Sequence, residues 1–241
     1  MRIHRFFVSQ ALPQSGDFFV TDQNLLNQWR NVLRMEEGDQ LSVFDGSGDE
    51  VLCELSALNK KSATLTILER HTGPASSDNT TLFMALIKRD NFELVLQKAT
   101  ELGVSRIVPT ETARSEKKGI NRVRSEKILR EASEQSGRTT VPVLDDVARL
   151  HDIFKKYQMT FVALDPRGTI PAREYFKGDQ AYEQTSGKSP GERGFLIGPE
   201  GGFTEEEIVL FKEHHIPMIT TGATILRAET AAIVALAFSR R

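Results

Sequence analysis

Thiols are almost absent from this chain: Cys53 is the only cysteine in 241 residues. No intramolecular disulfide can form, which suits a reducing compartment. Long apolar runs are missing too. No window approaches eighteen uninterrupted apolar residues, and the opening MRIHRFFVSQALPQSG lacks an apolar stretch followed by a small-residue cleavage site. The expectation is therefore a cytoplasmic protein with no membrane partner. The five histidines show no ligand spacing of the H-x-x-x-H kind, so no metal is expected. No strand leads into G-x-G-x-x-G, and no glycine loop ends in Lys-Ser/Thr, which removes the dinucleotide fingerprint and the P-loop. An excess of positive charge is also lacking, since the formal net charge is −2. Bulk electrostatic attraction to nucleic acid is thereby excluded, but a local field is not.

Such a field is present. Between Ala113 and Arg130 the chain carries Arg114, Lys117, Lys118, Arg122, Arg124, Lys127 and Arg130 against Glu116 and Glu126. A solvated helix face with i,i+4 pairs is the plain explanation, and a phosphate-binding platform the functional one.

Periodicity divides the chain. Residues 3–8 and 18–20 have strand character, and Thr21 opens a short helix with Leu25, Leu26, Trp29, Val32 and Leu33 as its buried stripe. LSVFD, VLCELSAL and SATLTILE follow as three strands separated by GSGD and NKK turns. Residues 1–70 read as a small β-barrel domain, and 71–80, with HTGPASSDNT, as a linker. From 81 to 241 strands alternate with helices: TLFMALI, a helix with Phe92, Val95, Leu96, Ala99 and Leu102 on one face, VSRIVP, a helix from about Arg122 to Gln135, then TFVALD, GFLIGP and PMITTG, and a last helix from about Glu229 to Ser239. That alternation predicts a parallel α/β sheet flanked by helices. Residues 177–194 read as a surface insertion of unassigned role.

Two segments carry the chemistry. In GFLIGPEGGFTEEE a buried strand enters Gly198-Pro199-Glu200-Gly201-Gly202, and a helix follows with Thr204 and Glu207 at capping-box spacing. Glycines 201 and 202 permit positive φ and close approach of backbone to a ligand, although a connector could use the same residues. In TTGATILRAETAAIVALAF a strand end leads through Ile225-Leu226-Arg227 into a helix apolar on nearly every side. Burial all round, in the core or against a second subunit, is expected of it. Glu229 and Thr230 at its start have a capping role as their plain reading.

IGPEGGFTEEE followed by ILRAETA resembles the signature of the SPOUT RNA methyltransferases, in the form found in enzymes that methylate uracil N3 of 16S ribosomal RNA. The opening MRIHRFF, the run LIKRDNFELVLQKATELGVSRIVP and EASEQSGR at 131–138 are similar to the same family. Three departures stand out: TETARS at 110–115 where relatives often have a Ser-Glu-Arg-Ser-like element, Ser136 where they often have Cys, and TGAT before ILR.

The resemblance implies a PUA-like RNA-binding first domain and a trefoil-knotted second domain. It also implies S-adenosylmethionine as cofactor and a homodimer. Leu164, Ile197, Gly198, Glu200, Gly201, Gly202, Thr221, Gly222, Ile225, Leu226, Arg227 and Thr230 are the implied cofactor residues. Arg2, His4, Arg5, Arg114, Ser115, Arg122, Arg124 and Arg138 are the expected contacts to small-subunit ribosomal RNA, free or in an assembled 30S subunit. Arg227, Arg114 and Arg138 are the candidates for favouring the uracil N3 anion. Cys53, alternating with Val51 and Leu55, reads as a buried strand residue rather than a nucleophile for C5 chemistry. Another SPOUT target atom, or a non-catalytic RNA-binding assembly factor, would fit the same framework.

Overall fold

The computed structural model describes residues 3–73, 79–115, 119–177 and 192–239. Arg2, Glu116, Lys117, Lys118 and most of the 177–194 segment lie outside them. The chain forms two units, Met1–Ala75 with Ser133–Val141, and Ser76–Ala132 with Pro142–Arg241.

In the first unit, strands β1 (His4–Phe7), β2 (Asp17–Val20), β3 (Gln40–Phe44), β4 (Asp49–Leu58) and β5 (Ala63–Thr72) make one mixed sheet ordered β1-β3-β4-β5-β2. β1 runs parallel to β3, and the other ladders are antiparallel. Alternation along β4 sends Val51, Cys53 and Leu55 into a core shared with Phe6, Leu41 and Leu65, all almost fully buried. Asp22, not Thr21, caps the helix α1 (Gln23–Asn27), its carboxylate accepting from Asn24 N and Leu25 N. The turn continues as a π-helical segment, Gln28–Val32, which seats Trp29 fully inside, edge-on to Phe6. The wider π turn breaks the 3.6-residue spacing, and Val32, expected in the buried stripe, is 69% exposed.

Ser133–Val141 completes this unit. Phe7 N donates to Glu134 Oε1 at 2.8 Å, so the MRIHRFF and EASEQSGR elements are joined by a direct hydrogen bond. Arg5 grips Glu50 through Nε and Nη2 at 2.7 and 2.8 Å, lies over the Phe44 ring and donates to the carbonyls of Glu134 and Arg138. Burial alone would raise the Glu50 carboxyl, but hydrogen bonds from Arg5 and Ser42 outweigh it and hold it below its ordinary value.

The second unit is built on a sheet of eight strands: β6 (Asn79–Ala85), β7 (Arg106–Glu111), β8 (Val143–Leu144), β9 (Ala148–Arg149), β10 (Thr160–Leu164), β11 (Ile170–Pro171), β12 (Glu192–Ile197) and β13 (Met218–Thr220). Every ladder is parallel, and the order is β11-β13-β10-β12-β6-β7-β8, with β9 also on β7. The central strands β6 and β12 are buried on both faces, which explains their unbroken apolar runs LFMA and FLI.

Helix α2 (Arg89–Glu101) buries the predicted Phe92, Val95, Leu96 and Ala99, each worth about 1–3 kcal/mol of apolar burial. The remaining helices are α3 (Arg122–Ser136), of which Arg122–Ala132 belongs to this unit, α4 (Leu150–Lys156), α5 (Ala172–Lys177), α6 (Glu205–Glu213) and α7 (Ala228–Ser239). α4, α5 and the two-residue strands were not foreseen from periodicity, being too short for a repeat to show. Within one chain α7 is not buried all round: Ala228, Glu229, Ala232, Ala235 and Leu236 are buried, while Thr230, Ala237 and Phe238 are exposed. No described helix is long and apolar enough to cross a membrane.

Candidate active site

Three neighbouring strands, β13, β10 and β12, end level with one another: Leu164 pairs with Ile197 on one side and Ile219 on the other. In a parallel sheet the loops leaving such ends converge on one side, the usual position of a ligand crevice. Here they enclose a cavity of about 460 Å³. All the predicted cofactor residues line it except Gly222 and Thr230. A volume of this order, with a mixed apolar and backbone lining, fits a nucleoside-sized ligand.

Each loop is shaped by local chemistry. Gly198 precedes, and Gly201 lies within, the turn in which Gly202 N donates to Pro199 O at 2.8 Å. Of the glycine pair only Gly202 uses the permitted positive φ, at 67°. Gly201 is small for a different reason: a Cβ there would meet the Arg114 side chain at 3.2 Å. The predicted capping box forms, Thr204 Oγ1 accepting from Glu207 N at 3.3 Å and Glu207 Oε2 from Thr204 N at 2.8 Å. It starts α6 immediately after the glycine loop.

The loop after β10 holds residues that sequence reasoning missed. Asp165, its side chain 2% exposed, accepts from Arg167 Nε at 2.7 Å, Arg167 Nη2 at 2.8 Å and Arg167 N at 2.9 Å. Arg167 also donates to Phe203 O at 2.9 Å and Glu205 Oε1 at 2.8 Å, tying this loop to the one before α6. The hydrogen bonds it donates to Asp165 raise the guanidinium's pKa further, so it stays charged. Gly168 follows because any Cβ would lie 2.6 Å from the backbone of Ile219. The signal was available as the turn Asp-Pro-Arg-Gly placed directly after a buried strand.

Two of the three candidate arginines, Arg114 and Arg227, line the cavity, and Arg138, in the first unit, does not. Arg114 Nη1 donates to Gly201 O at 2.6 Å. Ser115 turns back on Thr112, its Oγ accepting from Thr112 N at 3.0 Å. Other expected RNA contacts already have acidic partners. Arg122 bonds Glu126 and Asp146 and the carbonyl of Leu144. Arg124 chelates Glu93 at 2.5 and 2.6 Å; hydrogen bonds from Arg124 and Arg89 hold that carboxyl at about 2. His4 is exposed. Cys53 is fully buried, and desolvation pushes its thiol up to about 12.

Comparison with known proteins agrees with this geometry. The RNA methyltransferase domain family matches residues 74–240, and the RNA methyltransferase PUA domain family matches residues 30–68. A ribosomal RNA small subunit methyltransferase E from Bacillus subtilis is 30% identical over 97% of this chain and 94% of its own length. One from Rickettsia conorii is 29% identical, covering 98% and 95%. A crystal structure of the Neisseria gonorrhoeae enzyme of that name, bound to S-adenosyl methionine, superposes with a TM-score of 0.85 at 29% identity, covering 98% of this chain and 96% of that one. A methyltransferase from Legionella pneumophila in complex with the same cofactor gives 0.83 at 27% identity, with 98% and 96% covered. With the cavity at three adjacent strand ends and a family match over most of its length, the chain belongs to the RNA methyltransferase family, in the SPOUT α/β fold with a PUA domain at its N-terminal side.

Proposed function

We propose that this chain methylates small-subunit ribosomal RNA with S-adenosylmethionine, at N3 of a uracil, giving 3-methyluridine. The observation that carries the reading is Arg114: a cation on the wall of the cavity formed by the three strand-end loops.

Bound S-adenosylmethionine supplies an electrophilic methyl on a sulfonium. Leu164, Ile197, Gly198, Gly201, Gly202 and Leu226 are the residues that would hold it, through backbone groups and apolar contact. No protein nucleophile is required, and Cys53, buried with a raised pKa, is unsuited to be one. What remains for the protein is to orient the base and manage a weakly acidic N3–H. Arg114 favours the N3 anion electrostatically at the cavity wall, and Arg227, an exposed residue of the same lining, either shares that task or binds phosphate. The base must leave its stack to reach the cavity.

Exposure supports a homodimer. Ile225 lines the cavity yet is 81% exposed, and Phe238 on α7 is 38% exposed, as expected of residues that a second copy covers. The RNA and the enzyme would meet in the cytoplasm, as free ribosomal RNA or as the 30S subunit. Mass mapping of nucleosides in 16S ribosomal RNA tests the target: 3-methyluridine should vanish from a strain lacking the gene and return on complementation. Appearance of a different methylated nucleoside would replace N3 with another atom. Failure to bind S-adenosylmethionine in titration calorimetry would favour the assembly-factor reading.

A further inference from the structure

The Glu207 carboxylate holds two segments at once. Its Oε2 accepts from Thr204 N, as the helix cap requires, but its Oε1 accepts from Ala113 N at 2.9 Å, across 94 positions of sequence. The cap uses only the first of these bonds. The second fixes the backbone immediately before Arg114, whose Nη1 is in turn bonded to Gly201 O. From the other side Ser115 N donates to Thr112 O at 3.2 Å, closing residues 112–115 into a turn. This turn is therefore fastened to the 201–207 segment at two points, one through its backbone and one through Arg114 itself.

We propose that Glu207 is a positioning residue that sets Arg114 at the cavity wall, so that the arginine's placement follows the conformation of the cofactor loop. The inference rests on the reading of Arg114 as the RNA-facing cation. A carboxylate can serve two N–H donors with two oxygens, whereas an amide has one oxygen and a donating NH₂. Glu207→Gln therefore keeps the volume and one bond while setting a donor against the other N–H. Thr204→Ala is the matching control, because it weakens the cap from the opposite partner and leaves the bond to Ala113 N untouched.

The experiment measures kcat/KM on unmethylated small ribosomal subunits and, without RNA, the Kd for S-adenosylmethionine. Glu207→Gln should lower kcat/KM about tenfold, as expected for loss of one charge-assisted hydrogen bond, with Kd changed by less than about threefold. Thr204→Ala should lower Tm comparably yet leave kcat/KM within about twofold. In an Arg114→Ala background Glu207→Gln should have almost no further effect, since a residue that acts through Arg114 is silent without it. Faster amide exchange at Ala113 in Glu207→Gln would show that the bond is the one lost. Equal effects of Glu207→Gln with and without Arg114, or equal effects of Glu207→Gln and Thr204→Ala on kcat/KM, would overturn the proposal. Failure of the underlying reading looks different: Arg114→Ala would itself match wild type, and Glu207 would have nothing to position.

Discussion

Replacing Arg167 by Met keeps the aliphatic stem and removes the guanidinium, so the consequence falls on Asp165. That carboxylate has a 2% exposed side chain, and its Oδ2 is served only by Arg167 Nη2 among the described residues, while Oδ1 retains Arg167 N. Stranding one partner of a buried pair costs about 3–5 kcal/mol when water is fully excluded. Arg167 is 40% exposed, so water reaches the vacated position and we expect about 2–3 kcal/mol. The contact with Glu205, whose side chain is 83% exposed, adds little. Urea unfolding should show a lower midpoint at an unchanged m value. Asp165→Asn alone should cost less, about 1–2 kcal/mol, because the arginine it leaves behind can turn to solvent. The double variant Asp165→Asn/Arg167→Met should recover part of the loss, since no buried charge is left unpaired. Because both residues line the cavity, S-adenosylmethionine affinity should fall in parallel for Arg167→Met. Additive losses in the double variant, or a cost below about 0.5 kcal/mol for Arg167→Met, would refute the idea that this pair organises the loop.

Cys53→Ala should retain substantial methyl transfer after correction for a cavity cost of about 1 kcal/mol, and a folded but inactive Cys53→Ala protein would restore a covalent C5 mechanism. In the native protein the thiol should resist iodoacetamide at neutral pH, with labelling tracking unfolding in urea. Glu50, held below its ordinary value of 4.5, contributes stability that is present above pH 4.5 and lost as pH falls through its lower folded value. Glu50→Gln should flatten the stability-versus-pH curve of acid unfolding in that window, and an unchanged curve would contradict the Arg5–Glu50 assignment. Gly201→Val should displace Arg114 from the Gly201 carbonyl and weaken S-adenosylmethionine binding at least tenfold by calorimetry while the fold survives, as expected for about 1.4 kcal/mol or more of lost contact. Wild-type affinity in Gly201→Val would mean that the glycine loop is a mere connector.

The loops around the cavity are legible because each is written in contiguous residues: glycines, a capping box and a buried strand read directly from local sequence. Thr204 and Glu207 are three apart, and their bond follows from that spacing alone. What stayed hidden was pairing across the sequence. Arg5 reads from the sequence as an RNA contact on the first strand, yet its partners Glu50 and Glu134 lie 45 and 129 residues away. Arg124 was counted as positive charge for RNA, but Glu93 on α2 already faces it with both oxygens. Charge counting along a segment cannot see a partner from another helix. Asp165 and Arg167 are hidden for a different reason: Asp165 closes the apolar run TFVALD, and its partner lies in a turn without periodicity, marked only by the Asp-Pro-Arg-Gly signature.

The inclusion of Ser133–Val141 in the first unit has a consequence for biosynthesis. Phe7 N and Arg5 find their partners 127 to 133 residues downstream. A nascent chain that has emerged only through residue 73 has all five strands of the first sheet but cannot yet make these bonds. Loop closure over such a separation grows only logarithmically in entropic cost, so the finished chain tolerates it, but the timing is fixed by synthesis. The first unit therefore reaches its final form only after α3 has left the ribosome, and β1 waits until then with the Phe7 amide lacking its Glu134 acceptor. A proteolytic fragment ending at residue 73 would be left in that same incomplete state, less stable than the identical residues within the intact chain.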